Sequence, residues 1–180
     1  MKSNKGMRYF ILTFIGDDHP GFVQSIAKVI ADGEGNWLES RMSQLEGKFA
    51  GLARIGVSED KAEQLKLALF SLAENRFTLS MEDVDESATG DLQKYQLSIL
   101  GPDRAGIVHE VTSTLARYQI NLLEMSSNVA AAAMTGIPMF SAEATVEVTD
   151  QVDIAAIDNQ LSDIAAELGV DILFTEIKGS

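Results

Sequence analysis

Residues 16–40 and 101–125 are two versions of one segment, and no other feature constrains the fold as much. The first reads GDDHPGFVQSIAKVIADGEGNWLES and the second GPDRAGIVHEVTSTLARYQINLLEM, aligned without a gap at an offset of 85 positions. Eight of the 25 pairs are identical: Gly16/Gly101, Asp18/Asp103, Gly21/Gly106, Val23/Val108, Ala31/Ala116, Asn36/Asn121, Leu38/Leu123 and Glu39/Glu124. A segment written twice implies a complete folding unit each time. Outside the apolar positions, the matches gather in one loop and at the start of one strand.

The offset predicts two domains in 180 residues, 1–85 and 93–180, joined by a polar linker over 86–92 within ESATGDLQ. Domains of this size bury a working core with little surplus stability. Hydrophobic residues at 46% and charged residues at 23% fit a soluble globular chain rather than a disordered one. No apolar run approaches the length of a membrane span. Lys2, Lys5 and Arg8 ahead of the apolar run Tyr9–Ile15 imitate a short signal peptide. That run ends in acidic residues without a small-residue cleavage pattern, and its repeat partner, Tyr95–Leu100, lies mid-chain, so it is read as a strand. The chain has no cysteine, which excludes disulfides and thiolate metal sites, and a cytoplasmic location is expected. A net charge of −13 without a basic cluster argues against direct nucleic-acid binding, which draws its affinity from neutralising phosphates.

Each copy begins with an extended run. Tyr95, Leu97 and Ile99 alternate with Gln96 and Ser98, the period of a half-buried strand. Phe10, Leu12 and Phe14 form the matching inward set, but the other face of copy one carries Ile11 and Thr13. That less polar face is expected to be covered by the second copy or by another subunit. A helix follows, with stripes Phe22, Val23, Ile26, Val29, Ile30 and Ile107, Val108, Val111, Leu115. A second strand comes next, then a third over 49–57 and 140–148. The second helix carries Ala62, Leu65, Leu69, Leu72 in copy one and Ile154, Ile157, Leu161, Ile164, Leu168 in copy two. Closing strands are predicted at 77–84 and 170–177. Strand, helix, strand, strand, helix, strand is the α+β, ferredoxin-like βαββαβ order, an antiparallel four-stranded sheet with both helices on one face. Phe49 aligns with Phe140 at an offset of 91, so copy two carries six extra residues between its second and third strands. These make either a longer hairpin or an apolar tip, with Met134, Ile137, Pro138 and Met139 gripping a partner.

The loops 16–21 and 101–106 each feed a helix N-terminus, where unpaired N–H groups and the helix dipole favour a carboxylate. A glycine just inside the helix permits close approach to the backbone, and an adjacent aspartate suits an ammonium group. Together they form a cradle for the zwitterionic end of an amino acid. The competing reading makes Asp a helix cap and Gly a turn residue. Asn36 and Asn121 are either left-handed turn residues after the helix or amides that donate to and accept from a ligand. Catalytic constellations are absent from the sequence. His19 and His109 occupy non-equivalent positions, His109 on a helix surface, and no hydrolase, metalloprotease, Walker or dinucleotide motif occurs. Trp37, the single tryptophan, is read as core or interface.

An apolar strand, then G-x-D-x-x-G, an amphipathic helix and N-x-L-E at the next strand resembles the ACT domain, in two copies over nearly the whole chain. Gly101-Pro-Asp-Arg-Ala-Gly106 is the closer match; copy one departs at Asp17 and His19-Pro20. Thr135–Phe140, T-G-I-P-M-F, is similar to the hairpin of one subfamily, the glycine cleavage system transcriptional repressors, which are stand-alone tandem ACT proteins. The resemblance implies a non-catalytic regulator, without a cofactor, that binds a free amino acid, glycine above all. It implies action through a LysR-type transcription activator rather than on DNA. The family's ligand positions fall here on Gly16, Asp18, Gly21, Asn36, Gly101, Asp103, Gly106 and Asn121. Two other readings stay open: a ligand-free adaptor, and a detached allosteric subunit of an amino-acid or one-carbon enzyme. Exposed sheet edges also favour self-association.

Overall fold

A computed structural model describes residues 6–85, 92–149 and 151–177. Two compact units divide the chain after residue 89. The expected linker over 86–92 lies, apart from Leu92, outside the described residues. Unit 1 contains β1 (Met7–Asp17), α1 (Phe22–Asp32), β2 (Asn36–Leu45), β3 (Lys48–Ser58), α2 (Glu59–Ala73) and β4 (Phe77–Val84). Unit 2 repeats the order with β5 (Gln93–Pro102), α3 (Ile107–Arg117), β6 (Asn121–Ala131), β7 (Pro138–Val148), α4 (Ile154–Leu168) and β8 (Asp171–Glu176). Each unit is one antiparallel sheet, ordered β2-β3-β1-β4 and β6-β7-β5-β8. This is the ferredoxin-like βαββαβ fold read from the sequence.

The strand alternation places the core. Phe10, Leu12 and Phe14 are buried against Ile26 and Ile30 of α1 and Leu65 and Leu69 of α2. Tyr95, Leu97 and Ile99 meet Val111, Leu115, Ile157 and Leu161 in the same way. Truncating one such side chain, Leu97→Ala for instance, costs about 2–5 kcal/mol through lost transfer energy and the cavity left behind. The helical stripes are narrower than their spacing implies: Val23 and Val29 are half-buried and Val108 is exposed. Trp37 is half-buried against the unit 1 core. Asp153 caps α4, its carboxylate accepting from the N–H groups of Ala155 (3.0 Å) and Ala156 (3.3 Å).

The register locates the six extra residues. Gly16 lies opposite Phe49, and Gly101 opposite Phe140. In unit 1 the β2–β3 connection is a two-residue turn, Glu46-Gly47, both left-handed (φ 48° and 76°), which suits the twist of a tight hairpin. In unit 2 the strands run one pair further, to Ala131 and Pro138, and are joined by residues 132–137. That connection is an ordered turn, with the Gly136 N–H donating to the Ala132 carbonyl and the Ala132 N–H to that of Ile137.

A second repeated feature is a β-bulge. Trp37 pairs with Ile55 but Glu39 with Arg54, and Leu122 with Val146 but Glu124 with Thr145. Leu38 and Leu123 are the extra residues, so the identical Leu-Glu of both copies marks where the edge strand changes register. The asparagines before them are not the left-handed residues of the helix-to-strand turn. That conformation belongs to Glu34 (φ 58°) and its repeat mate Gln119 (φ 56°), while Asn36 and Asn121 open strands.

Candidate functional site

Each repeated loop is pinned to the neighbouring hairpin by one backbone bond. The Asp18 N–H donates to the Gly47 carbonyl and the Asp103 N–H to that of Pro138, both at 2.8 Å. The loop then turns through Gly21 (φ 88°) or Gly106 (φ 99°), left-handed residues that are the N-caps of α1 and α3 rather than their first residues. Their carbonyls accept from the N–H groups of Ser25 and Glu110, both at 2.9 Å. The caps are glycines with no side chain to bond the helix end, and no carboxylate of Asp18 or Asp103 bonds it among the described residues. First-turn N–H groups such as those of Val23, Gln24, Val108 and His109 have no carbonyl a turn earlier to bond, and the N-terminal end of the dipole is presented at the surface.

The four glycines serve two purposes. A Cβ on Gly106 would meet nothing within 4 Å, and one on Gly21 only the Gln24 side chain at an ordinary contact distance of 3.6 Å. Gly16 and Gly101 are crowded. A Cβ on Gly16 would stand 2.7 Å from Phe77 Cβ, and one on Gly101 2.6 Å from Val170 Cγ1 and 2.8 Å from its Cα. These two glycines let the closing strand pack, whereas Gly21 and Gly106 leave the helix end uncovered.

Asp18 and Asp103 are exposed, and their carboxylates have no partner among the described residues. The amides of Asn36 and Asn121 are likewise exposed, without a side-chain hydrogen bond among the described residues. Within one unit these groups do not meet. Asn36 lies opposite Gly56, which lies opposite Tyr9, while the loop begins at Gly16. Seven strand residues separate the two rows, about 23 Å at ~3.3 Å per residue. The same register, Asn121 to Glu147 to Lys94, separates Asn121 from Gly101.

The two loops differ in their supports. In unit 1, Asp17 pairs with Lys48 across the β1–β3 ladder, and that hydrogen bond and charge hold the Asp17 carboxyl below its ordinary value. His19 sits edge-on to Phe22 (centroids 5.4 Å apart), which also meets Phe14, Phe49 and Phe77. In unit 2, Arg104 donates from Nη1 to the carbonyl of Leu168 at 3.1 Å, meeting the negative end of the α4 dipole. Arg104→Ala is therefore expected to cost unit 2 about 1 kcal/mol, read as a lower midpoint in urea with an unchanged slope. This bond leaves no mark in the loop's own residues, because its acceptor lies 64 residues away.

Of the apolar tip residues, Met134 is 98% exposed, Ile137 and Pro138 are exposed and Met139 is half-buried. The Pro138 carbonyl accepts from Asp103, so hairpin and loop of unit 2 are joined directly. Among the described residues, no group of three or more histidine, aspartate or glutamate side chains stands ready for a metal ion, and no helix is long and apolar enough to cross a membrane.

The sequence profile of the ACT domain matches residues 8–82, and a second ACT profile matches residues 95–166. The chain belongs to the ACT-domain family. A stretch of 79 residues, 44% of this chain, is 29% identical to an UPF0237 protein of Methanosarcina acetivorans, of which it covers 80%. The corresponding Methanosarcina mazei protein matches to the same extent. A crystal structure of a protein of unknown function from Galdieria sulphuraria superposes with a TM-score of 0.87 at 26% identity, over 96% of this chain and all of that one. A protein described as a candidate glycine cleavage system transcriptional repressor superposes with a TM-score of 0.69 at 16% identity, over 96% and 99% of the two chains. That last likeness speaks for a shared tandem ACT fold.

Proposed function

We propose that this tandem ACT protein is a non-catalytic sensor of a free amino acid, glycine foremost, that represses glycine cleavage system transcription by engaging a LysR-type activator. The observation that carries the reading is the doubly built loop. In each ACT domain a helix N-terminus starts at a left-handed glycine, open in unit 2 and met only by the Gln24 side chain in unit 1, beside an aspartate without a partner among the described residues. The helix end suits a carboxylate and the aspartate an ammonium group, the two charges every free amino acid carries. Asn36 and Asn121 complete the set. Each stands about 23 Å from the loop of its own domain, so a ligand does not touch both kinds of residue within one domain. Binding favours one arrangement of domains over another and so changes the surface a partner meets. The tip at Met134, Ile137, Pro138 and Met139 is the partner surface, coupled to the ligand loop through the bond from Asp103 to Pro138. The net charge of −13 supports action through protein rather than DNA.

The test is a thermal-shift screen against the common free amino acids, with glycine titrated fully. A ligand held only by the folded state at 100 times its Kd adds about 2.7 kcal/mol, and a selective, saturable rise in melting temperature is the expected result. A flat response across the panel removes the sensor reading in favour of a ligand-free adaptor.

A further inference from the structure

The chain contains no cysteine, so the thiolates that ordinarily meet two-electron oxidants first are absent, and its seven methionine thioethers are its only oxidisable sulfur. Burial divides the described methionines. Met81 is half-buried against the unit 1 core, Met125 against the unit 2 core, and Met139 is half-buried at the base of the long hairpin. Met7 is 47% and Met42 40% exposed, whereas Met134 is 98% exposed. Its side chain stands almost wholly in water.

That exposure belongs to a built turn. Around Met134 the Ala132 N–H donates to the Ile137 carbonyl at 2.9 Å, the Gly136 N–H to the Ala132 carbonyl at 2.8 Å and the Ile137 N–H to Thr135 Oγ1 at 3.4 Å. The sequence sets the same residue apart. Residues 125–142 carry no charged side chain, the longest such run in the chain, while the corresponding turn of unit 1 carries Glu46 and is followed by Lys48. A polar group newly made at residue 134 therefore changes the character of the arm instead of joining charges already there.

We propose that Met134 is a reversible oxidation site for hydrogen peroxide and related two-electron oxidants, and that its oxidation turns the hairpin tip from an apolar surface into a polar one. The thioether sulfur attacks one peroxide oxygen; the O–O bond breaks as an S–O bond forms. Sulfur gives up two electrons, the thioether becomes the sulfoxide, and the peroxide's other oxygen leaves as water. A methionine sulfoxide reductase drawing on two thiols returns the thioether and releases water and a disulfide. The sulfoxide oxygen is a strong acceptor that is costly to dry, so an apolar pocket that takes the thioether rejects the oxidised side chain. At 98% exposure the added oxygen stays in water and leaves the fold intact. The consequence for a partner rests on the tip being the partner surface, as proposed above; the oxidation does not, and neither uses the amino-acid loops.

Timed treatment of the full chain with hydrogen peroxide, followed by peptide mass spectrometry, tests the site. Met134 is expected to become the sulfoxide about twice as fast as Met7 or Met42, following exposure, and severalfold faster than Met81, Met125 or Met139. Hydrophobic-interaction chromatography reads the surface. Protein oxidised at Met134 should elute earlier with unchanged circular dichroism, and return to its first position after treatment with reductases for both sulfoxide epimers. Met134→Leu keeps the apolar bulk without the sulfur, and should elute with untreated wild type before and after the same dose of peroxide. Reaction at Met134 no faster than at Met7 and Met42 overturns the site. Retention that does not change on oxidation, or that changes equally in Met134→Leu, overturns the change of surface. A flat thermal-shift screen, by contrast, bears on the amino-acid reading alone.

Discussion

Gly101→Val is expected to destabilise unit 2 by about 3 kcal/mol, at the upper end of overpacking costs. The new Cβ would fall 2.8 Å from the Cα of Val170, which is backbone and has no rotamer through which to escape. For a domain of this size ~1 kcal/mol moves the melting temperature by about 4–8 °C, so calorimetry should place the unit 2 transition more than ~10 °C lower. Gly106→Ala makes the contrast. Its cost is that of a left-handed alanine, about 1–2 kcal/mol, because nothing lies within 4 Å of the added methyl. Equal effects from the two variants would show that the two glycines do not divide the work between packing and backbone conformation.

The second large effect concerns binding rather than folding. Asp103→Ala and Asn121→Ala remove side chains without a hydrogen-bond partner among the described residues. Stability should stay within about 0.5 kcal/mol of wild type, as for surface positions without special roles. Affinity for the amino acid should fall tenfold or more, since a hydrogen bond to a charged group contributes about 1.5–3 kcal/mol. Isothermal titration on both variants, beside urea unfolding, separates the two effects. Loss of the fold in either variant would return Asp103 and Asn121 to a structural role.

Much of the architecture was legible because the chain repeats itself. Alternation along Tyr95–Ile99 and Phe140–Val148 placed both central strands of unit 2, and the change of offset from 85 to 91 located the longer hairpin. Local pattern was less informative where a residue's role depends on a distant contact. Gly16 and Gly21 look alike in sequence, yet one is packed against Phe77 and the other meets only the Gln24 side chain. Asn36 follows a helix and reads as a turn residue, but the chain turns two residues earlier, at Glu34. The bulges at Leu38 and Leu123 did leave a signal, an identical leucine at an exposed edge position that strand alternation does not explain. Loop and asparagine are repeated together without meeting inside a unit, a separation that shows only in the strand register.

The central claim is that one amino acid is held by the repeated loop together with the repeated asparagine. Amide-resolved NMR of the full chain titrated with glycine tests it most directly. The account predicts saturable shifts, with one affinity, in the backbone amides around Gly21 or Gly106 and in the side-chain amide of Asn36 or Asn121. Shifts confined to the loop, or no shift in either place, would contradict it.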